Sequence, residues 1–509
     1  MQVPADRTYT SIAANDIISK LGRATGLEYA VLARIAMMYS LKQGGREVPR
    51  SEDKRGREMR WVSVWGKDQA LIRGLFCMVY GEHVQEEELF SMICFGKDHI
   101  DRGLELLWEL FEHSDENPTH FLRALADEIE LTGDARGAAL AIDIVVGKGM
   151  ISQDEVVIQL NDTTVHPNSH MAMAGKPGVG KTQLLLKILT DLREHTDYST
   201  NFILFDYKGD IAASDRFVEL SRATVYSLPN DSVPVNPFIL AQYDEDSARM
   251  SAREKAESFA SIDRRFGPVQ KGSLTKAIRT AYGNRQGEER PYPDFLEVLQ
   301  IVQADYAADG KNDDSLVEIL RDLAEFKLFW DHGWPGDPLS TLVGHTVIID
   351  VSKLAVLKEL VAYLVIERLY KEMSVLPDST VQNARREVRT VLAIDEAHNY
   401  LPQRNIFLQK IVREGRSKGI AVFFASQSPA DYLQKDFDFR ELLEFFFMFQ
   451  CDGLSSSDIQ HLVGCSKQVA RQLEAEVPRL QPFDVIAKPV KGEEQVLRFK
   501  ADAFYHAYE

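Results

Sequence analysis

The segment that most restricts the possible folds of this chain is residues 175–182, which read GKPGVGKT and match the pattern G-x-x-x-x-G-K-[ST]. A short apolar run at 170–174 precedes the segment, and a leucine-rich run at 183–189 follows it. We therefore predict a buried strand, a glycine-rich loop and a helix in succession. The backbone N–H groups of such a loop, at the positive end of the helix dipole, bind phosphate groups. The pattern predicts an α/β core that binds a nucleoside triphosphate.

The chemistry of such loops predicts roles for individual side chains. The ammonium group of Lys181 is expected to reach the β- and γ-phosphates, and the Thr182 hydroxyl is expected to bind Mg²⁺. The residues expected to bind the nucleotide are Gly175, Pro177, Gly178, Val179, Gly180, Lys181, Thr182 and Gln183.

An acidic motif lies far downstream of the loop. The apolar run 391–394 is followed by Asp395-Glu396-Ala397-His398. A carboxylate at the end of a buried strand can hold the Mg²⁺ shell, and a second one beside it can orient the attacking water. We assign Asp395 to the metal and Glu396 to the water. Together with the loop, this pair predicts hydrolysis as well as binding.

Further candidates flank the next apolar run, residues 420–425. Gln427 follows that run and would lie beside the γ-phosphate if its strand neighbours the one that bears Asp395. Arg413 and Arg416 precede the run. They can act within the subunit, reach a neighbour's nucleotide as an arginine finger, or merely pair with surface carboxylates. Arg416 is the first candidate and Arg413 the second, and the sequence leaves open which of them acts in trans.

Composition sets the outer limits. The 509 residues carry a formal net charge of −18, which argues against nucleic-acid binding over the whole surface but permits a local basic channel. The four cysteines are scattered, as expected for reduced thiols in a cytoplasmic protein. We find no signal peptide and no apolar run long enough to span a membrane, so no membrane attachment is expected.

The order of helical and strand patterns predicts the domains. Residues 1–130 are expected to form a small all-α domain, 131–165 a linker with an entry strand, and 166–509 an α/β domain. A mostly helical insertion is expected at about 240–345. The parallel sheet is predicted to include strands at 170–174, 202–205, 346–350, 391–394, 420–425 and 445–449.

Six motifs occur in the order seen in HerA-type ATPases, which belong to the HerA–FtsK group of DNA-pumping motors. The resemblance covers roughly residues 150–505 and implies a RecA-like P-loop fold that uses ATP and Mg²⁺. It also implies a homo-hexameric ring that threads duplex DNA and hydrolyses ATP between subunits. The motifs are residues 175–182, 206–210, 236–238, 395–398, 413–416 and 426–429.

DEAH-box helicases also end a strand with Asp-Glu-Ala-His. Their arginine motif lies in a second RecA-like domain, whereas Arg413 follows Glu396 closely and leads directly into the next strand. The chain also lacks their Ser-Ala-Thr motif. The HerA-type interpretation is therefore preferred.

The N-terminal unit resembles DndE, a small helical protein of DNA phosphorothioate-modification systems. The resemblance rests on residues 21–27, 32–36 and 39–41 and extends to about residue 115. It implies DNA binding and favours the basic segment 42–60 as a DNA contact over a merely solvated loop. The cationic residues of this segment are Lys42, Arg46, Arg50, Lys54, Arg55, Arg57 and Arg60.

Together, the two resemblances imply an ATP-driven translocase or helicase that acts on duplex DNA in phosphorothioate-linked modification or antiphage defence. No nuclease or sulfur-transfer site is apparent, so cutting or modification would require partner proteins. One alternative is an ATP-gated DNA-binding scaffold that assembles those partners without processive movement. A protein or peptide pump fits less well with the DndE-like unit.

Overall fold

The computed structural model describes the chain in two compact units, residues 1–136 and 137–509. The residues it describes are 7–43, 48, 50–65, 72, 75–76, 80, 94–114, 117–128, 140–240, 244–262, 266–285, 292–330, 342–354, 357–488 and 496–508. The expected linker residues 131–139 lie outside this set.

The first unit is mainly helical. A short antiparallel pair, β1 (Arg7–Tyr9) and β2 (Glu58–Arg60), accompanies the helices. The helices pack against each other through buried apolar side chains. At Gly103 one helix lies directly against the backbone of another, since a Cβ there would lie 1.9 Å from the carbonyl oxygen of Ala36. The helical character predicted for this unit is confirmed, and the β1–β2 pair is an addition to the predicted all-α domain. Its helices are Ile12–Thr25, Tyr29–Lys42, Trp61–Trp65, Phe95–His113 and Pro118–Glu128.

The second unit is built on one sheet. Among the described residues the sheet has eleven strands, in the order β4-β3-β17-β16-β15-β5-β12-β11-β6-β8-β7. The strands from β15 to β7 are parallel, and those from β16 to β4 extend the sheet with antiparallel pairing. The sheet strands are β3 (Asp143–Gly149), β4 (Glu155–Gln159), β5 (Met171–Ala174), β6 (Asn201–Asp206), β7 (Thr224–Ser227), β8 (Val347–Asp350), β11 (Thr390–Ile394), β12 (Ile420–Ser426), β15 (Phe445–Met448), β16 (Asp484–Ala487) and β17 (Leu497–Ala501).

Two short hairpins and a set of helices complete this unit. The hairpins pair β9 (Val381–Gln382) with β10 (Arg385–Arg386) and β13 (Leu433–Gln434) with β14 (Phe437–Asp438). The helices are Lys181–His195, Asp215–Ser221, Glu245–Ile262, Pro268–Asn284, Phe295–Ala308, Ser315–Glu325, Lys358–Val375, Ile406–Glu414, Ser456–Val463, Lys467–Glu476 and Phe504–Ala507.

Both faces of the parallel strands are covered by apolar side chains. Along β12, Val422 and Phe424 belong to one buried cluster, while Ala421, Phe423 and Ala425 belong to the other. Because successive side chains of a strand point to opposite faces, two separate cores form, one on each side of the sheet. This three-layer arrangement confirms the predicted α/β class. Between residues 245 and 325, the described part of the chain forms four helices, which make up the helical insertion.

The sheet is wider than the sequence suggested. Residues 143–159, expected as a linker with an entry strand, form the β3–β4 hairpin at one edge of the sheet. The strands β16 and β17 join this hairpin to β15 by antiparallel pairing and were not foreseen. In the part of the chain described here, no helix is both long and apolar enough to cross a membrane.

A buried histidine makes the sheet sensitive to acid. His170 precedes β5 and is 1% exposed, and its Nδ1 accepts a hydrogen bond of 3.1 Å from the Val422 N–H in β12. Burial lowers the pKa of this imidazole to about 4 from 6.5. Between these pH values the imidazole binds a proton in the unfolded chain but stays neutral in the folded chain. The free energy of unfolding therefore decreases as the pH falls from 6.5 to about 4.

We expect His170→Asn, which keeps an acceptor but does not titrate, to flatten the pH dependence of the unfolding free energy in this range. The full linkage contribution of the wild-type imidazole is about 3 kcal/mol. Urea unfolding at several pH values between 4 and 7 measures it. Equal pH slopes for the variant and the wild type would contradict this assignment.

Candidate nucleotide site

Four parallel strands bring the candidate residues to the edge of the sheet at which the carboxyl ends of these strands lie. The strands β5, β12, β11 and β6 lie side by side, with Ala174 beside Ser426 and Ile394 beside both Phe424 and Phe205. Because the strands are parallel, the segments that follow them all begin at the same edge, where ligands bind in open α/β sheets. β12 does neighbour β11, which was the condition for placing Gln427 near the acidic pair.

The loop after β5 has a backbone that suits glycine. Gly180, the residue before the helix Lys181–His195, has φ of 108°. A Cβ at this position would also lie 2.5 Å from Cδ1 of Phe483. Both the backbone angle and the close ring exclude other residues here. The first N–H groups of the helix have no partner within the helix, and they form an anion-binding end beside the loop.

Lys181 is held inside this loop. Its side chain is buried, and Nζ donates hydrogen bonds to the carbonyl oxygens of Gly175 (2.7 Å) and Lys176 (2.9 Å). Burial lowers the pKa of the ammonium group, while the carboxylates of Glu396 and Asp395 act in the opposite direction. The cation is therefore positioned between the loop and the acidic pair.

Thr182 and Asp395 form an oxygen-donor pair across the two strands. The Thr182 hydroxyl oxygen lies 3.4 Å from each carboxylate oxygen of Asp395, which is 1% exposed. Burial and then the charge of Glu396 raise the pKa of Asp395 to about 7. A hydroxyl and a carboxylate are donors that Mg²⁺ accepts alongside phosphate oxygens and water. The donors present fit a magnesium ion, which would offset the buried negative charge.

Glu396 occupies a strained position with three polar partners. Its backbone φ is 53°, a left-handed conformation that costs a non-glycine residue about 1–2 kcal/mol. One carboxylate oxygen accepts a short hydrogen bond from Lys208 Nζ, and the other accepts one of 3.1 Å from Gln427 Nε2. His398 Nδ1 lies 3.3 Å from the same carboxylate. Burial raises the pKa of Glu396, but the bonds from Lys208 and Gln427 outweigh it, so the net pKa is lowered.

The turn that carries Lys208 is organised by Asp206, the last residue of β6. The fully buried Asp206 carboxylate accepts N–H hydrogen bonds from Lys208 (3.0 Å), Gly209 (2.8 Å) and Ala212 (2.9 Å). Lys208 was not among the predicted site residues, although the motif at 206–210 was noted. Its position directly after a strand of the same parallel sheet is the signal that could have found it.

The two candidate arginines lie near the amino ends of the parallel strands, opposite the carboxyl ends that carry the candidate site. Arg416 is four residues before Ile420, where β12 begins, whereas Gln427 follows the end of β12. A strand of this length spans about 20 Å. Arg413 and Arg416 are both exposed, and the Arg413 guanidinium lies 4.7 Å from the Phe437 ring. The Arg416 guanidinium makes no ion pair with any residue that the structure describes. Within one chain, the structure does not bring these arginines to Lys181, Thr182, Asp395, Glu396 and Gln427.

In the first unit, much of the basic segment is engaged by its own neighbours. The guanidinium of Arg50 lies 4.4 Å from the Phe95 ring, and that of Arg57 lies 3.5 Å from the Tyr29 ring. Arg55 forms an ion pair of 2.8 Å with the aspartate two residues before it. Gly44, Gly45, Arg46, Glu47 and Pro49 lie outside the described residues.

The site consists of a glycine-rich loop, a partly buried threonine beside the buried Asp395, and the carboxylate of Glu396, all at one edge of a parallel sheet. This arrangement defines a P-loop ATPase with ATP and Mg²⁺ as its cofactors. Residues 7–115 match the family described as DNA sulphur modification protein DndE. Residues 144–373 match the family described as Helicase HerA, central domain. The chain is thus similar to DndE over residues 7–115 and to the central domain of HerA helicases over residues 144–373.

Solved structures resemble the fold at low sequence identity. VirB4 of Thermoanaerobacter pseudethanolicus has a TM-score of 0.53 and 18% identity, with 74% of this chain and 99% of that chain covered. Plasmid coupling protein TrwB in complex with ADP and Mg²⁺ has a TM-score of 0.43 and 12% identity, with 66% and 85% covered. No curated protein sequence matches the chain.

Proposed function

We propose that this protein is an ATP-hydrolysing motor that moves along or remodels duplex DNA in phosphorothioate-linked modification or antiphage defence. The observation that carries the proposal is the convergence of Lys181, Thr182, Asp395, Glu396 and Gln427 at one sheet edge. The families matched by the two domains, one of DNA sulphur modification and one of helicases, support DNA as the substrate. Partner proteins would supply any cutting or modification.

Each residue has a role in this proposal. The loop N–H groups and Lys181 bind the phosphates, and Thr182 and Asp395 hold Mg²⁺, which neutralises phosphate charge when bound. Glu396 and Gln427 orient a water molecule toward the γ-phosphorus, and Glu396 accepts its proton. The bond from the γ-phosphorus to the bridging oxygen breaks, and ADP and phosphate leave. Gly175, Pro177, Gly178, Val179, Gly180 and Gln183 complete the nucleotide contacts.

The proposed assembly is a homo-hexameric ring in which Arg416 completes a neighbour's site. Support comes from its exposed position about 20 Å from the site of its own chain. In a ring with heterologous interfaces, opposite faces of neighbouring subunits meet, so a residue far from one site can reach the next. Arg413 is the second candidate for the same role.

A mixing experiment tests the action of Arg416 in trans. Lys181→Ala and Arg416→Ala should each abolish ATP turnover, the first by removing a phosphate contact and the second by removing transition-state charge. Randomly mixed rings should regain activity at about one quarter of their sites, because an intact Lys181 then meets a neighbour's intact Arg416. Turnover of the mixture is measured after exchange of subunits. Mixtures that stay inactive, although the subunits exchange, would show that Arg416 does not act across the interface.

Coupling to DNA is tested by steady-state ATP hydrolysis with and without linear duplex DNA. A motor should be strongly stimulated by duplex DNA, since hydrolysis is coupled to movement. Displacement of a third DNA strand from a triplex then separates processive movement from assembly on DNA. Hydrolysis that DNA does not change, or stimulated hydrolysis without strand displacement, would favour the ATP-gated scaffold.

A further inference from the structure

A cleft opens beside the phosphate-binding loop, on the side of Thr182 and Gln183. Its volume is about 480 Å³, within the range of small-molecule pockets. The helix Lys181–His195 forms one wall, and the helix Phe504–Ala507, with Tyr505, forms part of the other. Apart from Thr182 and Gln183, the residues that line the cleft have no role assigned above, although the cleft begins where the phosphate site ends.

An aromatic pair links the cleft to the loop. Tyr505 is 39% exposed, and its ring meets that of Phe483 edge to face, with 6.2 Å between centroids. The Phe483 N–H donates to the Val179 carbonyl oxygen (2.8 Å), and its ring covers Gly180. The Tyr505 N–H lies 3.3 Å from Oε1 of Gln183 and donates to it. An exposed ring is thus held beside the first turn of the phosphate-binding helix.

The short helix that carries Tyr505 is fixed to the core. The ring of Phe504 packs edge to face on Phe217, with 5.6 Å between centroids. The Tyr508 hydroxyl donates a short hydrogen bond to the Asp191 carboxylate, and the Tyr508 carbonyl oxygen accepts one of 3.1 Å from Arg216 Nε. These contacts fix the helix on both sides of Tyr505, and the Phe483 ring lies against the Tyr505 ring. The Tyr505 ring is therefore held in place before any ligand arrives, which lowers the entropy cost of stacking.

We propose that this cleft is the nucleobase subsite, in which a purine ring stacks on Tyr505 while the phosphates lie in the loop. The inference rests on the proposed nucleotide site and adds to it the part that recognises the nucleoside. A nucleotide whose phosphates contact Lys181 and Thr182 extends its ribose and base past Gln183, and the cleft opens at that point. Stacking uses the face of the base, which every purine offers.

Binding of Mg·ADP and of magnesium tripolyphosphate to the full-length protein tests the subsite, because only ADP carries a base. We expect Tyr505→Ala to weaken ADP binding about 5- to 100-fold, the usual value of one base–aromatic stack, and to leave tripolyphosphate binding unchanged. Tyr505→Phe should bind both ligands as the wild type does. The control Phe326→Ala, which removes a half-exposed ring from the insertion, should alter neither affinity.

Four results would overturn either the nucleobase subsite or the phosphate site itself. Unchanged ADP binding by Tyr505→Ala, or equal losses for ADP and tripolyphosphate, would reject stacking on this ring. Tripolyphosphate binding that survives Lys181→Ala, or a wild type that binds neither ligand, would instead reject the phosphate site on which the proposed function depends.

Discussion

Glu396→Gln is expected to bind Mg·ATP within a few-fold of the wild-type affinity and to hydrolyse it about 10²–10⁴-fold more slowly. The substitution keeps the size of the side chain and an oxygen that accepts from Lys208 or Gln427. It removes the negative charge that would orient the water and take its proton. Binding therefore survives while turnover is lost.

Equilibrium binding of Mg·ATP and the kcat for hydrolysis, measured on the same preparation, separate these two effects. Lys181→Ala serves as the contrasting variant, because it should lose nucleotide binding itself. Glu325→Gln, an exposed carboxylate change in the helical insertion, is the matched control and should behave as the wild type. Normal hydrolysis by Glu396→Gln would refute the role assigned to this carboxylate.

The second large effect concerns a buried ion cluster that joins the helical insertion to the sheet domain. Lys255, in the helix Glu245–Ile262, and Glu367, in the helix Lys358–Val375, are 1% and 0% exposed and form an ion pair. Glu367 also accepts hydrogen bonds from Lys371 Nζ (2.8 Å) and the Ser258 hydroxyl (3.2 Å). Burial raises the pKa of Glu367, but the two lysines outweigh it and lower the pKa to about 2.

Glu367→Leu should destabilise the fold by about 3–5 kcal/mol, since it leaves the buried Lys255 without its carboxylate. Adding Lys255→Met should recover most of this loss, because two apolar side chains can replace a buried ion pair at little cost. Denaturant unfolding and hydrogen exchange of the helix Glu245–Ile262 measure the effect.

An exposed pair provides the comparison. Lys276→Met breaks the pair with Asp305, in which the Lys276 side chain is 67% exposed, and should leave the free energy of unfolding almost unchanged, because solvent screens such a pair. If Glu367→Leu were equally mild, or if Lys255→Met failed to rescue it, the buried cluster would not hold the insertion in place.

Local patterns were sufficient to predict much of the fold and of the site. The loop at 175–182 and the run ending in Asp395 carry their own context, a buried strand followed by a helix or a polar turn. The parallel strands β5, β6, β8, β11, β12 and β15 were therefore foreseen within a residue or two. Gln427 could be placed because parallel strands end at one edge of a sheet.

What the sequence could not predict depends on contacts between distant segments. The antiparallel extension arises because β17 pairs with β3, about 350 residues earlier in the chain, and short amphipathic strands carry little signal of their partners. The bond between Lys208 and Glu396 likewise joins residues that follow two different strands, β6 and β11. The edge on which Arg416 lies became clear only once the direction of β12 in the sheet was known.

The strand β12 has a consequence for how neighbouring nucleotide sites affect each other, if the protein forms the proposed ring. Arg416 lies just before the strand and Gln427 just after it, so a single hydrogen-bonded segment connects a neighbour's γ-phosphate with that of its own subunit. A stiff strand at the centre of a sheet cannot shift at one end without a shift at the other. A change at one nucleotide would then alter the position of the arginine at the next, so that neighbouring sites around the ring would be mechanically coupled through the sheet.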